Sequence, residues 1–325
     1  MKARSSLLFS LLFLPLPASA GQGLLFLEAQ GVAGYSSAEK AGVWHTMSAA
    51  EPMQKSSLGF DWLRKFSGKS GDAGTLALQA RLAWDPDALN RLEPQVYNAY
   101  YRARTPYGHA WVGHNRTAAG LESYFDAHGA LLQVLPMYGY GFDRDWGLGG
   151  SRDFDWGDAA LSLTTGSGMR LRAAGNYLLS ARAARGVLNR DNHSVGLYGA
   201  VGKIPGTAGY SLLDGQERSY AAAGLDGALL WDRWELRGDL RTGEKAGMHY
   251  FAGLGRLGVN LLEENRLKLE AQAVYSGMEH MPGWALGAGF SYAVTPYLAW
   301  RALFEYEDAM NDRRLATQVY YYLPI

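Results

Sequence analysis

Residues 298–307 read LAWRALFEYE, and in this stretch apolar and polar side chains alternate with a period of two. Positions 298, 300, 302, 304 and 306 are apolar or aromatic, whereas Arg301, Glu305 and Glu307 stand in the other register. A period of two indicates a β-strand, because successive side chains of a strand point to opposite faces of its sheet. The stretch therefore predicts a strand with one oily and one wetter face, about as long as a tilted membrane strand.

The same alternation recurs along the chain, at 75–84, 234–241 and 267–275. The chain also holds 41 Gly, 20 Tyr, 10 Trp and 11 Phe at a mean hydropathy of −0.18, which favours many short strands over apolar helices. Alternation alone fits a soluble sandwich as well as a membrane barrel. Aromatic residues near the predicted strand ends, as in an interfacial girdle, favour the barrel: Trp84, Trp231, Trp234, Trp284 and Tyr306.

The last residues alternate again, with Val319, Tyr321, Leu323 and Ile325 on one predicted face. A C-terminal strand with apolar and aromatic residues at every second position resembles the assembly signal of Gram-negative outer-membrane β-barrels of the general porin type. The sequence departs from that pattern in ending on Pro324-Ile325, where the family usually has Phe. The resemblance implies a transmembrane antiparallel β-barrel in the cell outer membrane.

The first twenty residues have the pattern of a secretory signal. Lys2 and Arg4 precede an apolar run at 7–16, and the small residues of 17–20 follow it. A membrane anchor is the alternative, but the run of about 10 residues is shorter than the roughly 20 that a spanning helix needs. We therefore expect a signal peptide at 1–20 and a barrel at 21–325.

Composition excludes several kinds of chemistry. The 31 basic and 31 acidic residues balance, so no basic footprint for nucleic acid is expected. There is no Cys, and the 7 His lack the spacing of a metal motif. His193 and Ser194 are adjacent, but no third residue is identified that would orient them for catalysis. We predict no enzymatic activity, no metal and no cofactor.

A closed barrel with both chain ends on one side needs an even number of strands. The tight connections, assigned to the periplasmic side, lie at 68–73, 106–107, 155–156, 190–192, 232–233, 263–265 and 295–296. The longer ones, assigned to the outer side, lie at 36–56, 85–94, 120–142, 167–176, 205–218, 244–248, 277–282 and 309–313. Because 130–142 also looks strand-like, a direct count gives about seventeen strands. Placing it within the loop 120–142 gives about sixteen, with about fourteen to eighteen left open.

The loop 120–142 follows the predicted fifth strand. The preceding segment 108–120, GHAWVGHNRTAAG, resembles the glycine-flanked porin strand that leads into the loop that folds into the barrel. Porins commonly have Gly-Arg where this chain has Gly113-His114-Asn115-Arg116. The resemblance implies that the loop after strand 5 folds inward and narrows the channel. A solvated outer loop, or a true strand at 130–142, is the alternative.

A pore constriction brings opposite charges across a narrow aqueous gap. The loop supplies two acids, and the alternation of the wall strands places several bases toward the lumen. The predicted constriction set is Glu122, Asp126, Arg81, Arg102, Arg104 and Arg116. On the other wetter faces the charges are mixed in sign, which predicts weak ion preference or ion pairs within the wall.

Together these features predict a porin that allows passive diffusion of small hydrophilic solutes or ions. One alternative is a barrel sleeve around a partner such as a multihaem cytochrome, and a less favoured one is an outer-membrane lipid-modifying enzyme. The expected partners are outer-membrane lipids and lipopolysaccharide and small hydrophilic solutes, with no nucleic acid. A homotrimer is expected by analogy with general porins.

Overall fold

The computed structural model describes residues 23–44, 55–68, 71–84, 92–121, 125, 131–208, 211–279 and 281–325. No helix within these residues is long and apolar enough to cross a membrane. The strands are β1 (Gly23–Ser36), β2 (Ala41–Val43), β3 (Ser57–Gly68), β4 (Gly71–Trp84), β5 (Leu92–Thr105), β6 (Gly108–Arg116), β7 (Arg144–Phe154), β8 (Gly157–Thr164), β9 (Tyr177–Arg185), β10 (His193–Ala208), β11 (Ser211–Trp231), β12 (Trp234–Lys245), β13 (Met248–Leu261), β14 (Leu267–Met278), β15 (Met281–Thr295), β16 (Leu298–Glu307) and β17 (Asp312–Pro324).

The strands form one closed antiparallel barrel of 16 strands with one extra strand, which confirms the predicted fold class. Each barrel strand pairs with its neighbours in sequence, and β1 closes the barrel by pairing with both β3 and β17. The extra strand is β2, which pairs with the end of β1. At the seam the backbone N–H of Ile325 donates to the carbonyl of Leu25 at 2.9 Å, so the last residue takes part in closure.

The connections alternate between the two ends of the barrel, as the predicted order requires. We name the end where β1 begins and β17 ends the turn end; the opposite end, which carries the longest connections, is the loop end. A one-turn helix, α1 (Leu188–Asp191), and a 3-10 turn, Glu263–Asn265, connect strands at the turn end. Hydrogen bonds from Arg190 hold the pKa of Asp191 below its ordinary value. The Asp191 carboxylate therefore stays charged beside the Arg190 guanidinium.

Three of the predicted outer loops are shorter than expected, whereas the placement of 130–142 within a loop agrees with the structure. At 244–248, β12 ends at Lys245 and β13 begins at Met248, and at 277–282, β14 ends at Met278 and β15 begins at Met281. The predicted loop at 205–218 is largely strand, because β10 continues to Ala208 and β11 begins at Ser211. A hairpin with Gly and polar residues in its strands carries little alternation, so its extent is hard to recognise. Within the described part of 130–142 there is a 3-10 turn, Leu135–Tyr138, and no strand.

The outer face of the barrel is apolar, and on most strands the inner face is polar. On β12, Leu236 and Leu240 are 52% and 49% exposed, whereas Asp239 and Arg241 are each 2% exposed. A soluble sandwich would bury the leucines and expose the charges. The opposite arrangement is that of a barrel whose outer surface meets lipid.

Aromatic side chains mark both rims of this outer surface. Near the turn end lie Trp156, Trp231, Trp234 and Tyr297, all exposed. Near the loop end lie Tyr35, Trp84, Trp284 and Tyr306, and the rings of Trp284 and Tyr306 are 4.9 Å apart. Amphipathic rings at two levels are typical of the two membrane–water interfaces.

Candidate functional site

The segment 117–143 between β6 and β7, which we name the inward loop, begins and ends at one point of the barrel wall. The Thr117 hydroxyl donates to the carbonyl of Phe142 at 2.8 Å, and the Thr117 N–H donates to Asp143 at 3.3 Å. The next N–H, that of Ala118, donates to the hydroxyl of Ser162 at 3.0 Å. Ser162 is buried on the inner face of β8, so the chain enters the lumen directly after β6.

The middle of the inward loop is attached to the inner face of β13 and β14. Nη2 of Arg256 on β13 donates to the carbonyls of Leu132 and Gln133, at 3.0 Å each. Nε2 of Gln272 on β14 donates to the same Gln133 carbonyl at 3.0 Å, and its Oε1 accepts from Nε of Arg256 at 2.7 Å. These contacts satisfy backbone groups that would otherwise be buried without partners.

The returning part of the inward loop makes further polar contacts. Nη1 of Arg241 donates to the Tyr140 carbonyl at 2.5 Å, and Nζ of Lys245 donates to the Gly139 carbonyl at 3.1 Å. Gly141 has φ +95, and a Cβ there would collide with the Arg241 guanidinium. The glycine is therefore favoured by its left-handed backbone, and its lack of a side chain leaves room for the arginine.

Apolar side chains complete the attachment. Leu135 is fully buried against Ala252, Leu254, Val274 and Ala285, which face inward from β13, β14 and β15. Leu131 and Leu132 pack against Leu303 of β16 in the same way. The apolar character of 130–138 in the sequence thus matches an apolar part of the inner wall.

Opposite the inward loop, β3 to β8 and β17 leave a cavity of about 550 Å³. Its charged lining includes Asp61, Arg102, Arg116 and Arg144. Its aromatic lining includes Tyr100, Trp111, Tyr320 and Tyr322. The lumen is therefore divided into an open side with charged and aromatic walls and a side covered by the inward loop. On the covered side a cavity of about 230 Å³ remains between Leu131, Leu132 and the strands β12 to β16.

A smaller cavity of about 150 Å³ continues the open side toward the turn end. Its lining includes Lys65, Asp72, Arg102, Arg104 and His109. Arg102 lines both cavities, so the two adjoin along β5. The side chains of Arg102 and Arg104 are exposed.

The predicted constriction residues separate into three groups. Arg102, Arg104 and Arg116 line the open side of the lumen. Arg81 instead lies within the wall, where it forms an ion pair with Glu28 at 2.9 Å and both side chains are 1% exposed. Glu122 and Asp126 lie outside the described residues.

The inward charges of β12 and β14, which are mixed in sign, are paired with one another. Lys268 contacts Glu235 at 2.9 Å and Glu270 at 3.0 Å, and Arg237 is also paired with Glu235. Farther along the wall, Arg182 makes a bidentate contact with Asp226, at 2.8 and 2.5 Å, with both side chains fully buried. Such pairs cancel much of each other's field, so they contribute little to the selectivity of the lumen.

Sequence reasoning missed the aromatic part of the lining. Tyr320 and Tyr322 occupy the register opposite to Val319 and Tyr321, so the alternation of the last strand already placed them inward. Trp111 is on the inner face of β6 by the same rule. Asp61, in contrast, carries no signal that distinguishes it from the other inward polar residues.

The residues considered for chemistry do not assemble into a site. Ser194 is buried and accepts a hydrogen bond from Nη2 of Arg182 at 3.2 Å, whereas His193 is exposed and its Nδ1 lies 2.9 Å from the Asp191 carbonyl oxygen. Across the part of the chain that the structure describes, no three His, Asp or Glu side chains are grouped as metal ligands.

No protein-family model and no curated protein sequence matches the chain. Solved structures are similar in fold. The anion-selective porin from Comamonas acidovorans has a TM-score of 0.64 at 13% identity, with 94% of this chain and 100% of that chain covered. The outer-membrane channel DcaP of Acinetobacter baumannii has a TM-score of 0.61 at 11% identity, with 95% and 99% covered.

The trimer form of in-vitro folded OmpT, an outer-membrane protein of Vibrio cholerae, has a TM-score of 0.61 at 10% identity, with 94% and 100% covered. Likeness of this kind over nearly the whole of each chain establishes the architecture. The protein therefore has the porin-type β-barrel fold of Gram-negative outer-membrane proteins, and its apolar outer belt agrees with that location.

Proposed function

We propose that the protein is an outer-membrane channel for passive diffusion of small hydrophilic solutes, with a preference for anions. The observation that carries the proposal is the divided lumen. The inward loop covers one wall and leaves a polar passage of adjoining cavities along β5. A water-filled passage with charged walls admits solutes by size and charge and needs no chemistry.

The anion preference follows from the charges that remain on the open side. The two cavities are lined by Lys65, Arg102, Arg104 and Arg116, against the carboxylates of Asp61 and Asp72. Arg144 also lines the larger cavity but is paired with Asp143 at 2.6 Å. Most other inward charges described above are paired within the wall. The excess of basic side chains along the passage raises the local concentration of anions. This refines the sequence-based expectation of weak ion preference.

We further propose that Glu122 and Asp126 face Arg102, Arg104 and Arg116 across the passage. The proposal is supported by the direction of the inward loop, which enters the lumen at Thr117. Neutralising both acids by Glu122→Gln and Asp126→Asn is expected to strengthen the anion preference. An unchanged reversal potential would place the two carboxylates away from the passage.

Reconstitution into planar bilayers under a salt gradient tests the main proposal. We expect stepwise conductance and a reversal potential of the sign that an anion-preferring channel gives. Replacing Arg102 and Arg104 with Gln removes two of the basic charges of the passage and should move the reversal potential toward the cation side. Arg185→Gln is the matched control, because Arg185 is exposed at the end of β9 on the outer face.

A silent barrel that is folded by circular dichroism and by heat-modifiable gel mobility would refute the channel. A conducting barrel whose reversal potential does not respond to the two arginine substitutions would refute the anion passage along β5. Co-purification of a second protein with a silent barrel would favour the sleeve, although the inward loop already occupies much of the lumen that an insert would need.

The trimer remains a proposal that is supported by the likeness to a barrel solved in trimer form. Cross-linking in native membranes tests it, and a monomer at every cross-linker concentration would contradict it.

A further inference from the structure

Three aromatic rings are stacked along the inner face of the barrel seam. The rings of Phe26 and Tyr322 are 4.5 Å apart and inclined by 13°, and those of Tyr322 and Tyr320 are 6.3 Å apart and inclined by 12°. Tyr320 and Tyr322 line the larger cavity. The near-parallel rings form a continuous aromatic surface, which we name the aromatic strip (Phe26, Tyr320 and Tyr322).

Polar contacts fix the orientation of the strip. The Tyr322 hydroxyl donates to Oδ2 of Asp61 at 2.7 Å. The Arg301 guanidinium lies 4.7 Å from the centre of the Tyr320 ring, and its Nη1 donates to Gln318 at 2.7 Å. Tyr322 is thus held by its hydroxyl and Tyr320 by a cation over its face, so each ring loses little further rotamer entropy when a ligand packs against the strip.

The same cavity holds two more rings and several guanidinium groups. Trp111 lies against Gly149, where a Cβ would come within 2.7 Å of the indole. Because Gly149 has no side chain, the Trp111 indole can occupy this position. Tyr100, Arg102 and Arg116 line the same cavity. Aromatic faces and the exposed guanidinium of Arg102 thus meet in one space of about 550 Å³.

We propose that the cavity is a selectivity site for small aromatic carboxylates. The ring of such a solute would pack on the aromatic strip or on Trp111, and its carboxylate would accept hydrogen bonds from the exposed Arg102. Guanidinium groups match the planar carboxylate, and stacked rings favour a flat apolar partner. The excess of basic groups in the lining favours an anion over a neutral sugar.

This inference rests on the proposed channel function and is tested in the same bilayers. The probes are benzoate and cyclohexanecarboxylate, which have the same charge and similar size but differ in the aromatic face. We expect benzoate to reduce the chloride current in a saturable way, at a concentration about 3- to 10-fold lower than cyclohexanecarboxylate, which is the range that one stacked ring pair supplies. Glucose should have no comparable effect.

Variants assign the effect to the rings. Tyr320→Leu and Tyr322→Leu should abolish the difference between the two acids, whereas Tyr320→Phe should keep it because the ring remains. Tyr321→Leu is the matched control, since Tyr321 lies between them on β17 and faces outward.

A silent, folded barrel would refute the channel and this site together. A conducting barrel that does not distinguish benzoate from cyclohexanecarboxylate would refute the aromatic site and leave the channel intact. Block by glucose at the benzoate concentration would also overturn it, because the site would then recognise sugars.

Discussion

The attachment of the inward loop to Arg256 gives a sharp prediction. Arg256 is buried, and one of its nitrogens donates to two loop carbonyls, those of Leu132 and Gln133, at 3.0 Å each. The change Arg256→Met keeps most of the side-chain volume and removes every donor. We expect the middle of the inward loop to leave the β13 wall in a substantial fraction of the molecules.

The magnitude follows from the contacts. A hydrogen bond from a charged donor contributes about 1.5–3 kcal/mol, so two of them contribute about 3–6 kcal/mol. Gln272 still donates to the Gln133 carbonyl at 3.0 Å, and lumen water can reach the released groups, so the loss lies near the lower limit. A loss of about 3 kcal/mol shifts the attached-to-released ratio about 150-fold toward release.

Single-channel recording and limited proteolysis together measure this release. We expect the variant to show a larger and noisier conductance, and faster cleavage within 117–143, than the wild-type barrel. Arg185→Met makes the same chemical change at the outer face and should leave both readouts unchanged. A correctly folded Arg256→Met barrel with wild-type conductance and wild-type cleavage would refute the idea that these hydrogen bonds hold the loop.

Two further changes test the wall and the outer surface. Arg182→Met leaves the fully buried Asp226 without its guanidinium partner, so the free energy of unfolding in urea-treated vesicles should fall by about 3–5 kcal/mol. Adding Asp226→Leu should restore most of the loss, and an undisturbed single variant would contradict the pairing. Leu225→Arg places a charge on the exposed outer face of β11 and should cost about 2–4 kcal/mol in lipid, more than Leu225→Ala. Equal losses for the two changes at Leu225 would argue against contact with lipid there.

The barrel strands and the ends at which they connect largely followed from the sequence, since a period of two is a property of the local backbone, whereas β2 and the short hairpins of the loop end did not. The alternation in 298–307 needs no distant residue to be recognised, and the even strand number needs the additional condition that the barrel closes. The extended β10–β11 hairpin was missed because small and polar residues in both registers weaken that local signal.

The alternation predicted which side chains face the lumen, but it did not predict their partners. Alternation put Arg81 and Arg102 on the same inner face, yet Arg81 is neutralised by Glu28 and Arg102 is exposed in the passage. Which inward charges are paired depends on the neighbouring strands and on where the inward loop lies. Neither is a local property of the sequence around an arginine.

The sequence by itself determined that this chain would form strands with one oily and one wetter face. The tertiary structure decided which wall the inward loop covers, which charges stay free and how the seam is made. At the seam the Ser36 hydroxyl donates to Asp312 at 2.9 Å, and Gln318 donates to Gln30 at 2.9 Å. These residues stand at opposite ends of the chain, and only the closure of the whole barrel brings them together.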